Sequence, residues 1–465
     1  MANFSDTICA PATSVGTGAI SIIRISGPEA LAAVDRVVSF RSGTAADAPG
    51  YSVKYGDAAG LDEVLAIIFR APHSYTGEDA AEICCHASPF VVSSLLDKFA
   101  EAGCRLAEPG EVTQRAFING KMDLAQAEAV VDVIASTSSA QHRVAMNQLR
   151  GGYSAELRGL RSQLLELTAL LELELDFSEE DVEFAERSRL RMLLDTAQSH
   201  CRQLADSFRL GNAIRNGVPV AIVGAPNSGK STLLNALLRD DRAIVSEIPG
   251  TTRDTVEETC LIDGVLFRFI DTAGIRAASD EVERLGIERT FRKISEAEIV
   301  LGVVDGSEAP EQIEASLREI LERVDLTSQK LLVLKNKCDI SGVNKNVIAI
   351  NSFVKFADYN ADSIKSLVLS AKEGSGLEKL RETLVSCSGL ASATGTLVTN
   401  ARHTQALRAA ADSLRAVSDG LDRALPSDLL AEDLRAALAA LGTITGEITT
   451  DEVLGEIFSR FCIGK

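Results

Sequence analysis

The sequence predicts a multidomain protein of mixed α/β and all-α class, and three observations carry that expectation. The chain has 465 residues, more than one hydrophobic core usually holds. Between about 217 and 386 it alternates near-continuous apolar runs with helical stretches, the pattern of a mostly parallel, doubly wound sheet covered on both faces. On either side, from about 124 to 210 and from about 400 to 461, apolar residues recur at helical period with few breaks.

The first segment, 1–120, reads as a compact α+β domain. "GAISIIRIS" (18–26), "DEVLAIIFRA" (62–71) and "AEICCHA" (81–87) are strand-like, and 88–102 is helical. Residues 121–216 form the first helical part, exemplified by "LRSQLLELTALLELELDF" (160–177), which holds no Gly or Pro. Within 217–386 the strands are "VPVAIVG", "LFRFIDTAG", "EIVLGVVDG", "KLLVLKNK" and "SLVLSAK". Residues 387–465 return to helix, with Pro426 and the Gly442/Gly446 pair as breaks. The simplest architecture inserts the α/β domain into a discontinuous helical domain; two separate helical modules flanking it are the alternative.

Composition narrows the function classes. A formal net charge of −19 argues against a broad basic surface that would hold nucleic acid by counterion release, so any RNA contact is local or made through a partner. Apolar residues make up 46% and aromatic residues 5%, with no Trp, so the cores are aliphatic. The 9 cysteines are scattered without a C-x-x-C pair, which speaks against a disulfide framework or zinc ribbon and for a reducing, cytoplasmic setting. The N-terminus lacks the basic and apolar regions of a signal peptide, and no apolar stretch of about 18 residues is present to span a membrane.

"GAPNSGKS" (224–231) is G-x-x-x-x-G-K-S between an apolar strand and the helical "TLLNALL". That context makes it a phosphate loop: Gly224 and Gly229 let the backbone amides turn inward, with Asn227, Ser228 and Thr232 around the same cradle. Lys230 reaches the β- and γ-oxygens and the Ser231 hydroxyl ligates Mg2+. "PGTTRD" (249–254) offers Thr252 as a magnesium ligand that depends on the γ-phosphate. "DTAG" (271–274) offers Asp271 to the magnesium second shell and the Gly274 amide to the γ-phosphate, with Thr272 and Ala273 between them. "NKCD" places Asn336, Lys337 and Asp339 at a strand end, where a carboxylate accepts from guanine N1 and N2. "SAK" (Ser370, Ala371, Lys372) completes the base pocket. The phosphate loop followed by four short motifs in this order predicts a P-loop GTPase domain that binds GTP. Ile275 stands where Ras-like switches carry the water-positioning Gln. Glu283, in the acidic "ASDEVERLGIERT", is the candidate replacement, a plain solvated helix start being the other reading. Asn227 is placed to give an oxygen to a monovalent cation bridging the phosphates.

The chain ends in "FCIGK", with Cys462 the fourth residue from the end. Gly464 and Lys465 are poor prenylation neighbours and no polybasic cluster precedes them, so a lipid address is not favoured. The phosphate loop, "PGTTRD", "DTAGIR", "DTICAPAT…GAISIIRISG" (6–27), "SYTGEDAAEI" (74–83), "EPGEVTQRAFINGKMDLAQAEAVVDVI" (108–134) and "ITGEI…IFSRFCIGK" together resemble the MnmE/TrmE family of tRNA modification GTPases over essentially the whole chain. In that family the terminal Cys-x-Gly-Lys is a signature of the helical domain.

The resemblance implies an N-terminal folate-binding domain that also forms the homodimer, a discontinuous helical domain and an inserted G domain. It implies a heterocomplex with the FAD-dependent MnmG that modifies carbon 5 of the wobble uridine of tRNA. The implied carbon source is a 5-formyl- or 5,10-methylene-tetrahydrofolate, with glycine or ammonium, and hydrolysis is stimulated by K+ where two G domains meet. Carried over by position, Arg24, Glu82, Lys121 and Lys465 match the folate contacts, and Asn227, Ser246, Ile248 and Thr251 match the K+ ligands. Glu283 matches the water-orienting glutamate, and Arg253 and Arg276 lie in the switches. Cys462 is either a thiolate nucleophile beside Lys465 or a small apolar residue in the pocket floor. One departure is "EICCHAS", where Ala87 and Ser88 replace two glycines of the family pattern, which puts the backbone of that loop in question. Cys84, Cys85 and His86 lack an evident fourth ligand for a metal. The competing function is an Era/Der-type regulatory or ribosome-assembly GTPase, which would carry a basic RNA-binding domain after the G domain.

Overall fold

The structure is a computed structural model that describes residues 5–14, 16–176, 187–241, 257–270, 294–340, 364–390, 395–423, 425–459 and 461–464. The chain divides into two compact units, one of Met1–Val131, Gln148–Ala197 and Asp412–Lys465, the other of Asp132–Asn147 and Gln198–Ala411.

The first unit is built on a seven-stranded sheet. Its strands are β1 (Ile8–Pro11), β2 (Ile20–Ser26), β3 (Val38–Phe40), β4 (Ser52–Ala58), β5 (Asp62–Phe69), β6 (Ala80–His86) and β7 (Arg105–Leu106), in spatial order β3-β4-β5-β6-β2-β1-β7. All pairs are antiparallel except β1 with β7. Side chains alternate across the pleat, so Ile23, Ile25, Ala66, Ile68, Ala81 and Ile83 enter one core with Val34 of helix Ala30–Val37 and Leu95 and Phe99 of helix Pro89–Glu101. The same alternation puts Arg24 and Glu82 on the opposite face, directly across from each other. Helices Gly152–Asp176 and Ser427–Thr445 pack along one another, each with a buried stripe at spacings of three and four: Tyr153, Leu157, Leu160, Leu164 and Leu167 on one, Leu430, Leu434, Ala437, Leu441 and Ile444 on the other.

The second unit holds a six-stranded sheet of β8 (Val218–Val223), β9 (Glu257–Ile262), β10 (Val265–Ile270), β11 (Ile299–Asp305), β12 (Lys330–Asn336) and β13 (Ile364–Val368), in order β13-β12-β11-β8-β10-β9. Every pair is parallel except the hairpin β9–β10. Apolar clusters cover both faces, which is why these strands read as unbroken apolar runs. β8 lies between β10 and β11, at the point where the strand order reverses, so the loop that follows it opens at the switch point where such sheets bind ligands.

Two elements depart from expectation. β9 is absent from the strands read in the sequence, although its turn to β10, Asp263-Gly264, has both φ values positive (48° and 79°) and is the Asp-Gly signal of a tight hairpin. Gly442 does not break a helix: Ser427–Thr445 runs through it and stops at Gly446, whose φ is +85°. The missing side chain at Gly442 makes room for Ile448, which approaches a Cβ built there to 3.3 Å. Its carbonyl accepts from the Gly446 and Ile448 amides, so the break lies one turn later.

Candidate functional site

The phosphate loop runs from the end of β8 to helix Lys230–Asp241. A Cβ at Gly224 would stand 2.1 Å from the Val303 carbonyl oxygen, and one at Gly229, where φ is +99°, would stand 2.2 Å from Asn336 Nδ2. Only glycine fits either place. Asn227 adopts φ +62°, which asparagine tolerates, and is exposed. Lys230 Nζ donates to the Gly224 and Ala225 carbonyls at 2.8 and 2.7 Å, folding back over the loop it would share with phosphate. Among the described residues the Ser228 hydroxyl is buried without a hydrogen-bond partner, while Ser231 and Thr232 are exposed at the first helical turn. Backbone amides at a helix start, a lysine over the loop and an orphaned buried hydroxyl fit a phosphate-bearing ligand.

The base side is tied to the phosphate side by Asn336 at the end of β12. Its Nδ2 donates to Ser228 O (2.8 Å) and its Oδ1 accepts from the Ala371 amide (2.9 Å). Lys337, at φ +63°, forms an ion pair with Asp305 at the end of β11. Burial opposes ionisation of Asp305, but hydrogen bonds from Lys337 and Ser307 outweigh it and hold its carboxyl below the usual range. The Ser370 hydroxyl donates to Asp339 Oδ1 at 2.6 Å and is the main reason that the Asp339 carboxyl is held low, an acceptor ready for donors. Ser370 and Ala371 are buried and Lys372 is exposed. Asp305 was missed in the sequence, although its place at a strand end in "VVDG" beside the phosphate loop was a signal. Ser246, Ile248, Thr251, Thr252, Arg253, Asp271, Thr272, Ala273, Gly274, Arg276 and Glu283 lie outside the described residues.

A second constellation lies on the outer face of the first unit's sheet. Arg24 on β2 donates from Nε and Nη2 to Glu82 Oε1 on β6, at 3.0 and 2.8 Å, and from Nη1 to the Gly464 carbonyl at 3.4 Å. Its guanidinium carbon stands 5.3 Å from the Tyr75 ring centroid, and the Tyr75 hydroxyl is 3.0 Å from Thr113 Oγ1. Lys121 Nζ donates to the Pro72 carbonyl at 2.8 Å. The loop carrying Tyr75 is pinned from below: Glu78 accepts from Ser26 Oγ (2.8 Å) and from fully buried Arg115 (3.2 Å), which also pairs with Asp6 and Glu111. Tyr75, Thr113 and Arg115 were not read from the sequence as site residues.

The C-terminal segment enters this site. Ile463 bridges to Pro109, the Gly110 amide donates to the Cys462 carbonyl at 3.4 Å, and Gly464, with φ +89°, lies so close that a Cβ would be 2.0 Å from the Pro11 carbonyl oxygen. Lys465 is outside the described residues. Cys462 is exposed, as a reactive thiol and a residue lining an open pocket would both be. The Ala87/Ser88 departure leaves the backbone ordinary: Ser88 has φ −94° at the start of helix Pro89–Glu101, and Ala87 is not among the residues with positive φ. Cys84 is half-buried and Cys85 buried, on opposite sides of β6, and burial pushes the Cys85 thiol up to about 11.

The family model described as "MnmE helical domain" matches residues 124–462, and that described as "GTP-binding protein TrmE N-terminus" matches residues 7–121. The tRNA modification GTPase MnmE of Bacteroides thetaiotaomicron is 49% identical over 99% of each chain. The chain belongs to the MnmE family. The MnmE of Christiangramia forsetii is 47% identical, again over 99% of both chains. A solved structure of Aquifex aeolicus Era is 26% identical over 42% of this chain and 66% of its own, with a TM-score of 0.29. Because the TrmE N-terminal model matches residues 7–121, ahead of the phosphate-loop domain, and the MnmE relatives align over 99% of the chain, the Era/Der-type alternative loses its ground. MnmE membership makes the chain a GTP hydrolase with a P-loop GTPase domain. Among the described residues no helix is long and apolar enough to cross a membrane.

Proposed function

We propose that the chain couples GTP hydrolysis to modification of tRNA at carbon 5 of the wobble uridine. In this reading it works as a cytoplasmic homodimer with an FAD-dependent MnmG partner, and a tetrahydrofolate derivative supplies the one-carbon unit. The observation that supports the reading best is that the family match spans both constellations, the phosphate loop and the Arg24–Glu82 face. The limits 1–120, 121–216, 217–386 and 387–465 are the domains we assign to it.

GTP would take the cradle between Gly224 and Lys230, with Lys230 exchanging its loop carbonyls for phosphate oxygens and Asp339 accepting from guanine. Ser231 and Thr252 would hold Mg2+, and Asn227 with Ser246, Ile248 and Thr251 would hold K+, which supplies positive charge where phosphate charge develops. Glu283 would orient the attacking water in place of the missing Gln. At the other site Glu82 would accept from the folate ring, while Lys121 and Lys465 would meet its carboxylates. Cys462 is the exposed thiol of that site.

The test is nucleoside analysis of tRNA incubated with the chain, MnmG, GTP, K+, a methylene-tetrahydrofolate and glycine or ammonium. Appearance of the modified wobble uridine, lost on Lys230→Ala, supports the proposal. GTP hydrolysis with unmodified tRNA would overturn it. The K+ assignment is checked alongside: hydrolysis should fall when Na+ replaces K+, and Asn227→Ala should lose that difference.

A further inference from the structure

Arg24 is the obvious cation for a folate's glutamate tail, yet each of its three nitrogens already donates one hydrogen bond within the protein. Nε and Nη2 both converge on Oε1 of Glu82, Nη1 points at the Gly464 carbonyl, and Tyr75 covers the guanidinium plane. The pair is about four-fifths buried, with side-chain exposures of 21% and 20%. Glu82 Oε2 has no hydrogen bond among the described residues. A planar fork that fixes one oxygen of a carboxylate and a backbone carbonyl at once serves to orient them, which a point charge cannot do.

Resting on the folate reading above, we infer that Arg24 is a positioning residue. It acts through Glu82, Tyr75 and the C-terminal segment and does not pair with the ligand's tail. It holds Glu82 so that Oε2 faces the ligand ring, presents Tyr75 as an aromatic wall, and latches the 461–464 segment across the site. Tyr75 is itself held by Thr113 and by the Glu78–Arg115 support beneath its loop, so the wall is set before ligand arrives. Lys121, which is exposed, is left as the described cation for the tail.

The test uses the full chain and two ligands, 5-formyltetrahydrofolate and its diamide, in which both tail carboxylates are neutral. Binding to the native chain, Arg24→Gln, Arg24→Lys, Glu82→Gln and the double variant Arg24→Gln/Glu82→Gln is measured by calorimetry, with thermal midpoints recorded for each. A positioning role predicts that Arg24→Gln weakens both ligands by the same factor, about 10- to 100-fold, the range for losing hydrogen bonds to a charged group. Arg24→Lys should fail to restore binding, and the double variant should lose little more than either single change, because the two residues act as one unit. If Arg24→Lys alone folds well, it carries the comparison. A loss confined to the free acid, rescued by Lys, would show a direct tail contact and overturn the inference while leaving the folate reading intact. Absence of binding to the native chain would overturn the folate reading and the inference with it.

Discussion

Replacing Asn336 with Ala should separate the base side of the nucleotide site from the phosphate side. The side chain is 3% exposed and makes two hydrogen bonds, to Ser228 O at 2.8 Å and from the Ala371 amide at 2.9 Å. Truncation removes both and leaves a buried carbonyl and a buried amide without their partner. Each orphaned buried group costs about 1–3 kcal/mol, so the two together come to roughly 2–6 kcal/mol, with about 3 as the central figure if water reaches one of them. Because the lost bonds hold the ligand-ready arrangement, most of that cost should appear in binding, where about 3 kcal/mol is a factor near 150. The assay is titration of a fluorescent GTP analogue into the native chain and the variant, with Asn216→Ala as control. Asn216 bonds Asn212 on an exposed helix surface, and its loss should stay within about 0.5 kcal/mol. A weakening of less than about threefold by Asn336→Ala would refute the claim that this side chain couples the two halves of the site.

Three further outcomes are expected. Arg115→Met should destabilise the first unit by about 3–5 kcal/mol in urea unfolding, since it takes the fully buried cation from Asp6, Glu78 and Glu111 and leaves them Arg105 and Ser26; a shift under about 1 kcal/mol would mean that those partners and water compensate the carboxylates. Asp6 is held below the usual carboxylate range chiefly by the Arg105 hydrogen bond, and Glu111 by Arg105, the Glu108 amide and Arg115 acting against burial. Both therefore bind protons less readily folded than unfolded, so their stabilisation is complete above about pH 4–4.5 and is lost as pH falls through the lowered values; a thermal midpoint that stays flat from pH 5 to pH 3 would contradict this. Gly464→Ala, with φ +89° and a contact of 2.0 Å to relieve, should lift the C-terminal segment and weaken folate binding by about tenfold or more; unchanged affinity in calorimetry would remove the segment from the site.

The nucleotide site was legible where its chemistry is local. G-x-x-x-x-G-K-S is a contiguous string whose conformation is set by its own glycines, and the apolar runs of β8, β11 and β12 announce a sheet buried on both faces. Arg24 and Glu82 were reached through resemblance, without the knowledge that they face each other. What only the tertiary structure decided are the partnerships: Asn336 with Ser228, Lys337 with Asp305, Arg24 with Glu82 and Gly464, Arg115 with Asp6 and Glu78. The Arg24–Glu82 and Arg24–Gly464 contacts join positions 58 and 440 residues apart. Such pairs follow from strand register, and a slip of one residue would turn Arg24 into the core. The sheet's pairing is fixed by the burial of many side chains at once, which no short stretch of sequence contains. By itself the sequence determined which residues bear the chemistry; the fold decided which of them are spent on holding one another and which remain for a ligand.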